Sequence, residues 1–147
     1  MNLGRIVGTV GAALLVSACV SAPTVTIESY QPIKPEVCKR IMDKLPGELL
    51  TQGKRQVTQS PVADVVAAWG DPIIVLRCGA ITPADAVFMP EIITVNDIDW
   101  RYEELDGGTR FYSSSLQTVI RLDVPSVYAN PVDALAVLSN ALKPIKN

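Results

Sequence analysis

Histidine is absent from this 147-residue chain. Because histidine is the commonest general base and the commonest metal ligand, its absence excludes every histidine-dependent nucleophile triad. Charged residues make up only 19% of the chain, against about a quarter in an average domain. The formal net charge is −2, and no basic tract occurs that would bind a phosphate backbone. The composition therefore predicts no nucleic-acid partner, no metal site and no cofactor, and it discloses no specific enzymatic activity.

Long apolar runs are also rare, and the clearest one lies at the N-terminus. Arg5 precedes an uncharged run at residues 6–16, which is followed by Ser17, Ala18 and Cys19. A basic start, a short apolar centre and small residues at a cleavage site are typical of a secretory signal peptide. The run is too short for a transmembrane helix, which needs about 20 apolar residues.

Val16-Ser17-Ala18-Cys19 is similar to the bacterial lipobox, in which an aliphatic residue and two small residues precede cysteine. This resemblance implies that residues 1–18 are a lipoprotein signal peptide and that Cys19 carries a diacylglycerol thioether. Acyl chains such as palmitate contribute ~0.8 kcal/mol per buried CH₂, so several of them anchor a protein stably. We therefore expect the protein at the extracytoplasmic face of the cell membrane. The simpler alternative is an ordinary signal peptide followed by an incidental cysteine.

Two further cysteines, Cys38 and Cys78, remain after Cys19. An even pair in an exported protein predicts a disulfide, and closing a loop of this length contributes ~4 kcal/mol in the chain-entropy treatment. Two buried free thiols are the alternative. A redox pair would lie closer together in sequence, and two thiols without histidine do not complete a zinc site.

The rest of the chain divides into a tether and one domain. Pro23, Pro32 and Pro35 disfavour helix, so residues 19–34 are predicted to form a tether that lifts the domain off the bilayer. Residues 35–147 are predicted to form a single domain. Periodicity and turn signals indicate three helices, at residues 36–45, 60–70 and 130–142, and leave residues 47–59 as a loop. They indicate strands at residues 73–76, 91–95, 98–105, 109–113 and 116–124.

This order of elements predicts an α+β fold, with a twisted, mainly antiparallel sheet of about four to five strands. Three short helices pack on that sheet, and one disulfide joins helix to sheet. Asp106-Gly107-Gly108 predicts a hairpin turn between two of the strands.

The block AAWGDPIIVLRCG at residues 67–79 resembles the signature of an actinobacterial envelope lipoprotein family, known only as domain of unknown function thirty-five-fifteen. Ile98-Asp99-Trp100 resembles the Gly-Val-x-Trp element of that family, and residues 124–142 resemble its closing segment. The resemblance covers roughly residues 35–141. It implies an exported, membrane-attached protein, but it supplies no activity, substrate or catalytic residue.

Four residues are candidates for a ligand or structural site: Trp69, Asp71, Arg77 and Trp100. The two tryptophans suit an aromatic floor for a ligand such as a sugar, or alternatively core packing. Arg77 follows an apolar strand and needs a partner, for which Asp71 and Asp99 are candidates. Alternatively, Arg77 binds an anion.

Two functions remain open at this stage. The first is a binding or structural module that holds an envelope protein or wall component near the membrane. The second is a carboxylate-dependent hydrolase of wall glycans, which requires two carboxylates about 5 to 10 Å apart in a cleft. Acidic residues cluster at residues 97–106, where a solvated acidic edge is a better interpretation than a calcium site, because the spacing matches no EF-hand loop.

Overall fold

A computed structural model describes residues 24–27, 30–58, 64–80 and 91–145. Within these residues, eight strands form one sheet in which every neighbouring pair is antiparallel. The strands are β1 (Glu48–Leu49), β2 (Gln52–Arg55), β3 (Val66–Trp69), β4 (Ile74–Cys78), β5 (Ile92–Val95), β6 (Ile98–Leu105), β7 (Gly108–Ser113) and β8 (Ile120–Pro125). Their order across the sheet is β1-β2-β3-β4-β8-β7-β6-β5. The last strand therefore lies in the middle.

Two α-helices accompany the sheet in the described part of the chain. Helix α1 (Pro35–Met42) begins with Pro35, whose fixed φ suits a first turn, and buries Val37, Cys38 and Ile41. Helix α2 (Val132–Leu142) buries a stripe of leucines and is followed by a single 3₁₀ turn at Lys143–Ile145. The prediction of four to five strands and three helices is therefore wrong, because the described residues form a sheet of eight strands and two α-helices.

The third helix, predicted at residues 60–70, is replaced by strand β3. All four residues of Val66–Trp69 are buried, and this strand lies between β2 and β4. A strand that is covered on both faces is apolar at every position, so its sequence also satisfies a helical spacing. Residues 59–63, where the predicted helix begins, lie outside the described residues.

The other additional strands come from the segment predicted as a loop. Strands β1 and β2 form a hairpin in which Leu49 pairs with Gln52. Their sequences are mostly polar because β1 is an edge strand and the side chains of β2 are half-buried or exposed. Hydrophobic alternation is the main sequence signal for a strand, and these residues do not carry it.

The sheet has one face covered by the helices, which we call the helix face. Cys78 in β4 forms a disulfide with Cys38 of α1, and the Trp100 indole in β6 donates a hydrogen bond to Ser139 Oγ of α2 (3.0 Å). Because side chains alternate along a strand, Leu76 of β4 points to this same helix face. All five of these residues are fully buried.

The β6–β7 hairpin is closed by the glycine-rich turn that its sequence predicts. Gly108 pairs with both Leu105 and Pro125, and its φ is +150°. A Cβ atom at this position would lie 2.1 Å from the carbonyl oxygen of Val124. Only glycine therefore allows β7 to pair with β8 at this point.

The described residues before α1 pack on the domain. Val25 and Ile27 are buried, and the Val25 amide donates to the Gln56 carbonyl (3.1 Å) beside a parallel bridge to Val57. The Tyr30 hydroxyl donates to the Cys78 carbonyl (2.6 Å). Cys19 and the predicted signal peptide lie outside the described residues. None of the helices that are described is long and apolar enough to cross a membrane.

Candidate functional site

The second face of the sheet, which we call the polar face, carries a network of charged side chains. Arg77, Arg110, Arg121 and Asp123 alternate with core residues on β4, β7 and β8, so they point away from the helix face. Their side chains are between 20% and 27% exposed. The network is therefore half-buried and keeps contact with solvent.

Asp123 accepts hydrogen bonds from all three arginines of this network. Its Oδ2 accepts from Arg77 Nη1 (2.7 Å) and its Oδ1 accepts from Arg110 Nε. Arg121 approaches the same carboxylate with Nε (3.0 Å to Oδ2) and Nη2 (2.9 Å to Oδ2). Arg110 also donates to Glu103 Oε1 (3.1 Å). Three guanidinium groups thus share two carboxylates, which leaves an excess of positive charge and of N–H donors.

The pKa shifts in this network follow from burial and mutual charge. Burial lowers the pKa of Arg77, and Asp123 opposes that shift while Arg121 adds to it. Burial alone would lower the pKa of Arg110, but the hydrogen bond and charge of Asp123 raise it. Burial raises the pKa of the nearby Tyr30 to about 12, against the opposing effect of Arg77. Tyr30 therefore stays protonated at neutral pH, and its hydroxyl donates to the Cys78 carbonyl.

The strand register arranges these side chains in two rows across the polar face. In the basic row, Arg77 of β4 pairs with Arg121 of β8, Arg121 pairs with Tyr112 of β7, and Tyr112 pairs with Arg101 of β6. Like charges directly opposite each other on neighbouring strands repel, so the Arg77–Arg121 pair depends on a nearby anion. Asp123 supplies it from the adjacent row, in which Asp123 pairs with Arg110 of β7 and Arg110 pairs with Glu103 of β6.

A cavity of about 400 Å³, which we call the basic cavity, lies at the Arg101 end of this row. Its lining includes Arg101 and Tyr112 from the sheet, Ser114 from the loop after β7, and Lys34 from the turn before α1. Lys34 Nζ also donates to the Gln117 carbonyl (2.7 Å). Among the described residues that line the cavity, two are cationic and none is acidic.

A second cleft, of about 430 Å³, lies on the opposite side of the sheet near the start of α2. Glu104 and Asp133 both line it, together with Tyr102 and Phe111, whose ring centroids are 6.1 Å apart. Glu104 Oε2 accepts a hydrogen bond from Thr109 Oγ1 (3.0 Å). We call this the acidic cleft. Two carboxylates therefore share the lining of this cleft.

Trp69 and Trp100 both lie in the core, with no exposed surface. The indole of Trp69 donates to the Pro46 carbonyl (3.1 Å), and that of Trp100 donates to Ser139. Strands β4, β8 and β7 separate β3 from β6, so the two rings lie about 19 Å apart across the sheet at about 4.8 Å per strand. They form two separate packing anchors rather than one aromatic floor.

Asp71 and Arg77 also lie apart. Asp71 is exposed in the β3–β4 turn, before a cis peptide bond to Pro72. Arg77 binds Asp123 and not Asp71 or Asp99, because the pairing of Val75 with Asp123 brings the carboxylate diagonally next to Arg77. Asp99 accepts a hydrogen bond from Thr94 Oγ1 instead (2.7 Å).

Five residues of these sites were not predicted from the sequence: Arg110, Arg121, Asp123, Lys34 and Arg101. The alternation of residues 116–124 already places Arg121 and Asp123 on one face of a strand, so that part of the network has a sequence signal. The others depend on strand register and on the turn before α1. No group of three or more acidic or cysteine side chains in the described residues is arranged to hold a metal ion.

These features define a small domain of the α+β class, in which one large antiparallel sheet is joined to a helix by a disulfide. The chain belongs to the family described as Protein of unknown function (DUF3515), whose model matches residues 3–146. This match confirms the family resemblance seen at residues 67–79, while lipidation and an actinobacterial source stay predictions. No curated protein and no solved structure matches the chain.

Proposed function

We propose that this protein is exported and held by a lipid on Cys19 at the outer face of the cytoplasmic membrane, where its domain serves as a binding module. The observation that carries the proposal is the Cys38–Cys78 disulfide, which joins α1 to the middle of the sheet across 40 residues of sequence. Disulfides persist in oxidising compartments outside the cytosol. The lipobox-like residues 16–19 supply the attachment point.

The packed N-terminal segment adds a geometric consequence to this proposal. Five residues separate Cys19 from Val25, which already pairs with Val57. At no more than about 3.5 Å per residue, they span at most about 20 Å. A lipid on Cys19 would therefore hold the domain close to the bilayer, rather than at the end of a long tether.

The anchoring part is tested by replacing the modified cysteine. Cys19→Ala is expected to leave an unprocessed precursor or an unlipidated protein in the medium, and to abolish labelling by radioactive palmitate. Cys38→Ala is the matched control, because it removes a cysteine but leaves the lipid site intact. Unchanged membrane partition and gel mobility of Cys19→Ala would refute the anchor.

The binding part is supported by the polar face and its basic cavity. In the described part of the chain, the half-buried charged side chains and a cavity lie on this side of the sheet, while both α-helices pack on the other side. Cavities of roughly 300 to 1,000 Å³ are typical of small-ligand sites. An envelope protein or wall component that carries negative charge is the partner that this surface would fit.

The acidic cleft favours a second candidate function, a carboxylate-dependent hydrolase of wall glycans. Glu104 and Asp133 line one cleft, and Tyr102 offers a ring against which a sugar could pack. The test is release of reducing ends from purified wall material. Loss of that activity in both Glu104→Gln and Asp133→Asn would support it, whereas no release by the unmodified protein would refute it.

A further inference from the structure

We infer that the domain lies on the bilayer in one preferred orientation, with α1 and the β1–β2 hairpin against anionic lipid headgroups. This inference rests on the proposed lipid anchor at Cys19. It starts from the charge distribution, which is uneven along the chain although the formal net charge is only −2. Residues 34–55, which we call the basic segment, contain six basic and three acidic residues. Residues 91–106, which we call the acidic segment, contain six acidic residues and one basic residue.

The fold places these two segments on opposite sides of the sheet. The basic segment forms α1, β1 and β2, and the acidic segment forms β5 and β6 with the turn between them. Strands β3, β4, β8 and β7 separate β2 from β6, so the two are about 24 Å apart at about 4.8 Å per strand. Separated charges of opposite sign give the domain an electric dipole that runs across the sheet.

Most cations of the basic segment reach solvent. Five of the six are exposed: Lys34, Lys39, Arg40, Lys44 and Lys54. Lys39 has Glu36 and Asp43 as neighbours at helical spacing on α1, so its charge is largely compensated. Lys34 Nζ (2.7 Å) and Arg40 Nη2 (2.9 Å) donate to the two uncharged oxygens of Gln117, which leave both positive charges in place. With its three carboxylates counted, the segment keeps a formal charge of +3.

The chain enters the domain on the same side as the basic segment. Val25 pairs with Val57, which follows the end of β2 by two residues. The five residues between Cys19 and Val25 span at most about 20 Å, so a lipid on Cys19 holds the β1–β2 edge of the sheet near the bilayer. The opposite edge, β5, is about 29 Å from β2 along the sheet and is not drawn to the bilayer by the anchor.

An anionic bilayer acts on this dipole in one direction. Negative headgroups attract the basic segment and repel the acidic segment, and each basic side chain within a Debye length of about 8 Å strengthens attachment about fivefold. A lipid alone would leave the domain free to rotate on its tether. The charges therefore select the orientation in which α1 and the hairpin face the membrane. The acidic cleft, which Glu104 of the acidic segment lines, then opens away from the bilayer.

The test is lysine labelling of the full-length lipidated protein on two kinds of vesicle, one of neutral phosphatidylcholine and one that contains phosphatidylglycerol as well. An amine reagent modifies exposed lysines, and mass spectrometry gives the rate at each position. On the anionic vesicles, we expect Lys34, Lys44 and Lys54 to react about fivefold more slowly than on the neutral ones. Lys143, which bonds to Asp97 of the acidic segment, is the internal control and should react equally on both. Higher salt should abolish the difference.

Charge reversal assigns the effect to the basic segment. Lys44→Glu combined with Lys54→Glu should remove most of the difference between the two kinds of vesicle, which is then read at Lys34. Lys143→Glu is the matched control on the far side of the sheet and should leave the difference unchanged. All three substituted lysines are exposed, so we expect these variants to fold, and their urea midpoints check this.

The outcomes separate the orientation from the anchor. Equal labelling of the three lysines on both kinds of vesicle, with the protein bound to both, would overturn the inference and leave the anchor standing. An acidic partner protein would then be the occupant of the basic segment. Unchanged protection in the double variant, or an equal loss in Lys143→Glu, would overturn it as well. Binding to anionic vesicles alone would refute the anchor but support the lipid surface, whereas binding to neither would refute both.

Discussion

Replacing Asp123 by asparagine removes the carboxylate that Arg77, Arg110 and Arg121 share, while keeping the volume of the side chain almost unchanged. The substitution leaves three like charges close together on a half-buried surface. We expect Asp123→Asn to fold but to unfold at a clearly lower urea concentration than the parent.

The magnitude follows from the distances and the exposure. At about 4 Å and an effective dielectric constant of about 20, each ion pair attracts by about 4 kcal/mol, and two guanidinium groups about 6 Å apart repel by about 3 kcal/mol. The side chains are 20% to 27% exposed, so solvent weakens both effects. We therefore expect the free energy of unfolding to fall by about 2 to 4 kcal/mol.

Urea denaturation followed by tryptophan fluorescence measures this effect, because Trp69 and Trp100 are fully buried and become exposed on unfolding. Sodium sulfate should restore part of the lost stability of Asp123→Asn, since a sulfate ion can take the place of the carboxylate. Sodium chloride at equal ionic strength should restore less. Glu48→Gln, an exposed carboxylate on the edge strand β1, is the control and should change stability by less than about 0.5 kcal/mol. An unchanged urea midpoint for Asp123→Asn would refute the network as a source of stability.

Three further predictions follow from the fold. Replacing Cys38 and Cys78 together by alanine should lower the free energy of unfolding by about 4 kcal/mol, and a melting temperature equal to that of the parent would contradict it. Trp100→Phe and Ser139→Ala should show a coupling of about 1 kcal/mol in a double-mutant cycle of urea midpoints, because their hydrogen bond holds α2 on the sheet; additive effects would count against that role. Tyr30 has a folded pKa of about 12 against 10.0 for a free tyrosine, so its contribution is complete below pH 10 and is lost as the pH rises through 12. In pH-jump unfolding, the free energy of unfolding of Tyr30→Phe should therefore fall less across this pH range than that of the parent. A parallel decline in both proteins would refute the assignment.

The sequence predicted those parts of the fold that local signals determine. Pro35 and the spacing of Val37 and Ile41 mark α1, and the apolar run at residues 73–76 marks the central strand β4. The turn at Asp106-Gly107-Gly108 also forms as its residues require. In each case, the residues that carry the signal are neighbours in the chain, so no knowledge of distant pairing is needed.

The errors share a physical cause, because they depend on which strands are neighbours. Val66–Trp69 is apolar on both faces, and only its position between β2 and β4 makes it a strand rather than a helix. The partner of Arg77 is 46 residues away in sequence and is set by the register of β4 against β8. Asp71 is nearer in the chain but lies in a turn at the sheet end. A charged pair on a sheet therefore cannot be assigned before the strand order is known.

The position of β8 has a consequence for how the chain matures. The hairpin-linked strands β1 to β4 and the meander β5 to β7 meet only through β8 in the described part of the sheet, and β8 is the last strand to be synthesised. Until it arrives, β4 and β7 each expose an unpaired hydrogen-bonding edge beside apolar side chains, the arrangement that promotes intermolecular association. A frameshift or proteolytic cut before Ile120 should therefore yield insoluble aggregates rather than a smaller soluble fragment.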